Sequence, residues 1–364
     1  MEISLVKRKA FLHEDDRIRD LKARLTHRDD YATTISELPD HILHQILSNL
    51  ETIEVVRTSV LSKRWRYLWT SIPYLDFSFP SFYKDMVAKK YPNHSYFRGR
   101  LKVFVHLSCQ KAFTNFVRRA LDSRKGLWSI LKFRLFFGET ICHGDTDQWI
   151  YEAINGNVQE LDLTFSPGTR EYQLPACLVT CKSLSVLRLG LYFCKLLLPR
   201  LTDLTFPGLK SLHISFARLQ DEDLFGSYIS NCPLLEDLIL VECLLPDPKP
   251  LEISSNSLKN LTIQDMRRRF AGLWLSKLTV SCPKLVSFNY KGPMAEDYNL
   301  QNLSSLDTVE VDLIPGSAER SEEEVGNIIR KMLHGFRSAR VLKLSEIQVC
   351  NFSPSNFHDI NCIY

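Results

Sequence analysis

One spacing recurs through this chain from residue 130 onward and limits what it can fold into. An apolar residue is followed by two free positions, a second apolar residue, one free position and a third apolar residue. It reads Ile130-x-x-Phe133-x-Leu135, Val158-x-x-Leu161-x-Leu163, Leu184-x-x-Leu187-x-Leu189 and Leu209-x-x-Leu212-x-Ile214. It continues as Leu235-x-x-Leu238-x-Leu240, Leu258-x-x-Leu261-x-Ile263, Leu285-x-x-Phe288-x-Tyr290, Leu306-x-x-Val309-x-Val311 and Ala339-x-x-Leu342-x-Leu344. The central residues of these nine units stand mostly 21 to 28 positions apart. A unit that short cannot bury its apolar face alone, so neighbours must stack.

A strand sends alternate side chains to opposite faces, so the last two apolar residues of each unit point into the stack. The segment between strands must return the chain along the outside, as helix or irregular structure. DEDLFGSYIS at 221–230 and SEEEVGNIIRKMLHGF at 321–336 suit that role, the second with its acidic residues at the positive helix end. Ile72-x-x-Leu75-x-Phe77 shows the same spacing ahead of the main run. The period is that of leucine-rich repeats. The expected fold class is therefore α/β, with an open solenoid arc over 129–350.

Strand positions flanking the central residues then face outward on the inner side of the arc. Their mixed charge suits a protein or peptide better than nucleic acid, which asks for a basic stripe with stacking aromatics. The candidate substrate-binding residues are Asp162, Arg188, His213, Asp237, Thr262, Asn289 and Glu310. Arg267-Arg268-Arg269 is a dense basic cluster, readable as a solvated loop or as a contact for an acidic partner or phosphate.

Nothing in the sequence points to catalysis, a metal or a cofactor. Gly-x-Ser-x-Gly, His-Glu-x-x-His and glycine-rich phosphate loops are missing, and the 14 glycines are scattered. Cys181, Cys232 and Cys282 each stand six residues before a central residue, and Phe206 holds the same place before Leu212. A position shared by cysteine and phenylalanine is a buried apolar one, not a metal ligand. Ten cysteines without a secretory signal read as reduced thiols, which places the chain in cytoplasm or nucleus. A net charge of +4 is too small for the whole chain to be a nucleic-acid binder. No apolar run reaches the roughly 20 residues that span a bilayer.

Residues 34–70 read differently: TISELPDHILHQILSNLETIEVVRTSVLSKRWRYLWT. Ile42, Leu43, Ile46, Leu47 and Leu50 recur at helical steps after Pro39, which an opening turn tolerates. A second helix is predicted from Thr52, and Ser62 can cap a third carrying Trp65 and Leu68. Fewer than about 40 residues usually cannot enclose their own core. So much apolar surface calls for cover, either by the rest of the chain or by another protein.

Leu38-Pro39-Asp40, Ile42-Leu43, Ile46-Leu47, Leu50, then Val60-Leu61-Ser62-Lys63-Arg64-Trp65-Arg66 and Leu68-Trp69 resemble the F-box of plant F-box/leucine-rich-repeat proteins. Phe113-x-x-Phe116-Val117, Phe133-Arg134-Leu135 and Trp149-Ile150-x-x-Ala153-Ile154-x-x-x-Val158-x-x-Leu161-x-Leu163 resemble the FBD-associated subgroup. The resemblance covers roughly residues 34–350. It implies a three-helix F-box that docks a Skp-type adaptor of a cullin–RING ubiquitin ligase, with the repeats choosing the substrate. On it, Leu38, Pro39, Ile42, Leu43, Ile46, Leu47, Val60, Leu61 and Trp65 are the expected adaptor contacts. An FBD region normally extends further. Either it is absent here or residues 321–350 are its remnant.

The expected organisation is a disordered charged leader (1–33), F-box (34–80), helical linker (81–128, beginning as loop to about 100), repeats (129–350) and tail (351–364). The expected function is a non-catalytic substrate-recognition subunit of the ligase. The alternative is an interaction scaffold without ligase association.

Overall fold

The computed structural model describes residues 35–90, 100–124, 129–140, 143–199, 206–219, 222–244, 250–264, 277–314 and 321–345. The charged leader, the Arg267-Arg268-Arg269 cluster and the tail lie outside the described residues. The chain divides into two compact units. One takes in the residues up to Leu50 and Glu54–Trp69, and the other Glu51–Ile53 and everything from Thr70 onward.

The first unit is built on short helices. A 3-10 turn at Ile35–Glu37 leads to α1 (Asp40–Leu47), α2 (Thr52–Arg57) with a 3-10 turn at Thr58–Val60, and α3 (Trp65–Leu68). Pro39 stands just before α1, and its carbonyl accepts from Ile42 N and Leu43 N at 3.0 and 3.1 Å. Proline costs α1 nothing there, because the missing N–H would have had no intrahelical partner. The Ser62 hydroxyl accepts from Trp65 N at 3.4 Å, but the helix begins later than expected, and Arg64 rather than Ser62 stands at its N-cap.

The second unit opens with β1 (Tyr74–Ser78), followed by α4 (Phe79–Lys90), α5 (Arg100–Asp122), β2 (Lys132–Thr140), α6 (His143–Asn155), β3 (Glu160–Ser166), β4 (Glu171–Gln173) and α7 (Ala176–Val179). There follow β5 (Val186–Leu197), β6 (Ser211–Leu219), α8 (Glu222–Ser230), β7 (Asp237–Val241), β8 (Leu251–Ser254), β9 (Asn260–Gln264) and β10 (Lys277–Ser281). Last come β11 (Ser287–Pro293), β12 (Asp297–Gln301), β13 (Thr308–Ile314), α9 (Glu322–Gly335) and β14 (Val341–Leu344).

Ten strands form one parallel path in the order β1-β2-β3-β5-β6-β7-β9-β11-β13-β14, with β4 pairing on β5. The register puts Leu75, Phe133, Leu161, Leu187, Leu212, Leu238, Leu261, Phe288, Val309 and Leu342 in a single row. These are the nine central residues expected from the spacing, with Leu75 added. All are buried except Leu342, which is 38% exposed on the edge strand β14.

A shared carbonyl fixes each step of this ladder. Leu131 O accepts from Gln159 N and Glu160 N, Gln159 O from Ser185 N and Val186 N, and Ser185 O from Lys210 N and Ser211 N, all at 2.8–3.0 Å. The pattern runs on through Lys210, Glu236, Lys259, Val286 and Asp307. Gly208 sits where two repeats touch. A Cβ there would lie 2.3 Å from the Lys182 carbonyl oxygen, inside any allowed contact.

Three expectations change, while the expected helical linker forms as α5 with part of its apolar surface open. Residues 80–90 are not loop: Pro80 falls in the first turn of α4, and Phe79, Phe82 and Val87 bury one face. The ladder begins at β1 rather than at 129, because Tyr74–Ser78 pairs in parallel with β2. On α5, Phe113, Val117 and Leu121 are buried, but Phe104 and Leu107 are 63% and 56% exposed. In the last third, return segments are strands: β8, β10 and β12 form a second parallel sheet, in which Leu251, Ile253, Leu278 and Val280 alternate inward. α9 is capped as its sequence indicates, with Ser321 Oγ accepting from Glu324 N at 3.3 Å and Glu324 Oε2 from Ser321 N at 2.9 Å.

The close approach at Gly208 makes a stability prediction. Gly208→Ala forces backbone apart between adjacent repeats and is expected to cost about 1–3 kcal/mol, read as a lower urea midpoint with an unchanged slope. An unchanged midpoint refutes the contact.

Candidate docking surfaces

In the helical unit the apolar residues separate into two sets. Leu43, Leu47, Val55, Trp65 and Leu68 are buried, Trp65 to 2% exposure. Ile35, Ile46, Leu50, Val60, Leu61 and Tyr67 are exposed, Val60 to 86% and Leu61 to 62%. Pro39 is also exposed, and Leu38 and Ile42 are half-buried. Of the expected adaptor contacts, Ile46, Val60, Leu61 and Pro39 offer open surface, and Leu38 and Ile42 offer part of theirs. Leu43, Leu47 and Trp65 are corrected: a side chain sealed in the chain's interior gives a partner nothing to touch. They pack the unit instead, and Leu50 and Tyr67 join the exposed set.

One polar clamp holds the start of this unit. Arg64 donates to the Leu38 carbonyl at 2.6 Å and through Nε to Asp40 Oδ1 at 3.1 Å. The hydrogen bond from Arg64 holds the Asp40 carboxyl below the usual carboxylate range. The clamp orders Leu38-Pro39 beside α1 without covering either side chain.

On the ladder, the residue between the two inward positions of each strand faces out. Register places Asp76, Arg134, Asp162, Arg188, His213, Ile239, Thr262, Asn289, Glu310 and Lys343 in one row. Six of the seven residues expected to bind substrate belong to it. Asp237 does not. It lies one row back, beside Ser211 and Asn260, and Ile239 takes its place.

Much of the row's charge is spent on neighbours. Arg134 Nη1 lies 3.0 Å from Asp76 Oδ2, and its Nε is 3.7 Å from Asp162 Oδ2. Asn289 donates to Glu310 at 3.2 Å, and Asn260 to Asp237 at 2.6 Å. Burial pushes the Asp162 carboxyl up, against the pull of Arg134 and Arg188. Burial first, and then Arg188, push the His213 imidazole down. Asp76 and Arg134 were missed by sequence reasoning, although each stands between the second and third apolar residues of its unit.

The cysteines occupy packing positions. Cys181, Cys232 and Cys282 are buried, and Cys232 Sγ donates to the Tyr228 carbonyl at 3.0 Å. Burial raises the Cys282 thiol to about 11. Phe206, in the equivalent place, is 3% exposed.

Division of the helical unit into packing and surface residues is testable by stability alone. Trp65→Ala is expected to cost about 3–5 kcal/mol and Val60→Ala less than about 0.5 kcal/mol, both measured by thermal unfolding followed by circular dichroism. Equal losses contradict the division.

Residues 35–76 match the F-box domain family model, and residues 146–297 match the model described as the LRR repeats of FBD-associated F-box protein At5g56370. Among similar Arabidopsis thaliana proteins, putative F-box protein At3g58860 is 32% identical over 86% of this chain and 62% of its own length. F-box/FBD/LRR-repeat protein At5g56420 is 27% identical over 83% and 65%. F-box/LRR-repeat protein At3g59210 is 32% identical over 75% and 52%. The chain thus spans about half to two-thirds of the length of these relatives. No solved structure matches. Helical unit, ladder and matches agree: this chain joins an F-box to leucine-rich repeats of the FBD-associated F-box kind.

Proposed function

We propose that the protein is a non-catalytic substrate-recognition subunit of a cullin–RING ubiquitin ligase, working in cytoplasm or nucleus. The observation that carries this reading is the exposed apolar set of the helical unit, Ile46, Leu50, Val60, Leu61 and Tyr67, in a segment that matches the F-box family. Apolar side chains this exposed on so small a unit are the composition of a binding surface. A Skp-type adaptor is the proposed partner there. The parallel ladder is proposed as the inner face of an open solenoid arc, with the row from Arg134 to Glu310 turned to the substrate. Binding at both surfaces raises the effective concentration of a substrate lysine near the ubiquitin carrier, so the chain needs no reactive group of its own.

The alternative, a scaffold without ligase association, makes a different prediction for purification. Val60→Glu combined with Leu61→Glu puts charge on two open positions and is expected to abolish co-purification of the adaptor, with the melting temperature kept within about 2 °C. If wild-type protein retains no adaptor, the scaffold reading replaces this one. If the double variant retains it fully, the contact lies elsewhere.

A further inference from the structure

One stretch of the ladder departs from the regular pattern, at the C-terminal ends of β5 and β6. Gly190 pairs with Ser215, and the next pair is Cys194 with Ala217, so three residues of β5 face one residue of β6. Such a bulge re-aims side chains away from the pleat. Tyr192, Phe193 and Phe216 sit in it with φ of 47°, 63° and 52°. Bulky side chains avoid this left-handed region, and where they hold it the strain often serves a function. The Phe193 and Phe216 rings meet edge to face at 5.6 Å, and Tyr192 and Phe216 are 45% and 41% exposed. Tyr192 and Phe216 are thus turned outward, with Phe193 half-buried against Phe216, all three on unfavourable backbone.

A half-exposed cation and a buried nitrogen without a hydrogen-bond partner among the described residues lie on the same strands. Arg188, on β5, has one ion-pair contact among the described residues, Glu160 Oε2 at 3.8 Å, beyond hydrogen-bond reach. Beside it on β6, His213 Nε2 has no hydrogen-bond partner although it is shielded from solvent. The nearby acids are shared with other cations: Glu160 Oε2 also lies 3.4 Å from Lys132, and Asp162 lies 3.7 Å from Arg134. Arg188, its side chain 41% exposed, therefore offers a planar fork of donors to solvent and to any carboxylate or phosphoryl group that reaches it. Between Arg188 and Tyr192 the strand carries Leu189, Gly190 and Leu191, and with both leucines buried only Gly190 is left on the outward side. A Cβ there would lie 3.0 Å from Thr164 Oγ1 and 3.2 Å from Ser215 Oγ, so two hydroxyls border the gap.

We propose that Arg188, His213 and the Tyr192–Phe193–Phe216 shelf form the main docking point of the substrate, which is an extended peptide segment with an anionic side chain and an aromatic side chain about four residues apart. The spacing follows from the four residue steps from Arg188 to Tyr192, at most about 13 Å along the strand. Arginine and aromatic anchors in one place are the composition that dominates binding energy at peptide interfaces. This deepens the receptor reading and rests on it for the word substrate. The docking point itself stands on the ladder alone.

The test uses the full chain and a fluorescein-labelled Gly/Ser peptide in which one Glu and one Phe stand four positions apart, in either order. Matched peptides carry phosphoserine or Gln in place of Glu. Binding is read by fluorescence anisotropy, and adaptor co-purification is scored on the same preparations. The Glu or the phosphoserine peptide is expected to bind, and whichever binds more tightly identifies the anion. The Gln peptide and the Arg188→Gln variant are each expected to weaken binding at least tenfold, while Lys111→Gln on α5 leaves it unchanged. Phe216→Gly relieves the left-handed backbone, so it is expected to keep or raise the melting temperature while weakening binding. A merely structural phenylalanine would not produce that split. Equal affinity of the Gln peptide, indifference to Arg188→Gln, or no binding by either anionic peptide overturns the proposal. Peptide binding without adaptor retention overturns only the ligase reading.

Discussion

A carbonyl shared between two amides is what makes one repeat follow the next in this chain. Each strand starts where a single oxygen of the preceding repeat receives two successive N–H groups, from Pro73 O with Leu131 N and Lys132 N to Asp307 O with Arg340 N and Val341 N. This contact is main chain to main chain, so side chains are free to vary around it. It nonetheless fixes phase. Once it forms, the residue two positions into the strand must meet its counterpart in the next repeat, and the row from Leu75 to Leu342 follows. A slip of one residue would turn every leucine of that row to water and every row charge inward.

That constraint explains why the ladder was legible from residue types alone. Period two within the strand and a long period between strands are both visible in the leucines, and the structure keeps both. The return segments were less legible, because any path that closes the distance satisfies the main-chain spine. The strands β8, β10 and β12 had an alternating signal in Leu251-x-Ile253, Leu278-x-Val280 and Tyr298-x-Leu300. It is short and lies beside the much stronger leucine spacing. Residues 79–90 were masked in another way. Aromatic and polar residues crowd that stretch and resemble a loop by composition, yet Phe79, Phe82 and Val87 are buried on one helix, with Phe79 against Phe113 and Phe137 and Phe82 against Phe113.

For the helical unit, periodicity identified the helices but could not divide the apolar residues between core and surface. Ile42, Leu43, Ile46 and Leu47 all lie on one stripe of α1. Leu43 and Leu47 are sealed, while Ile46 is 41% exposed. A stripe on a helix is about 100° wide, and a core that approaches from one side covers only part of it. Which part depends on where the next helix crosses, and spacing along a single helix holds no information about that. Val60 and Leu61 show the same limit, since they stand in a 3-10 turn and at its end, where no helical face exists to be buried.

The outward row extends the same reasoning to recognition. Position along the row was readable in advance, because the residue between two inward leucines has only one way to face. Availability was not. Arg134 and Arg188 are equivalent by sequence, both arginines between two apolar residues. Arg134 is held by Asp76 on the preceding strand, and Arg188 is not held by Asp162 on its own. The difference arises because Asp162 leans toward Arg134, leaving the second arginine with Glu160 at 3.8 Å as its nearest anion. Arg134 draws on both acids of the row, Asp76 and Asp162, and the next cation along it is left with the longer contact. His213 and Ile239 come next along the row, and neither supplies a carboxylate. The surplus cation on this face is thus set by where the alternation stops, between β5 and β7.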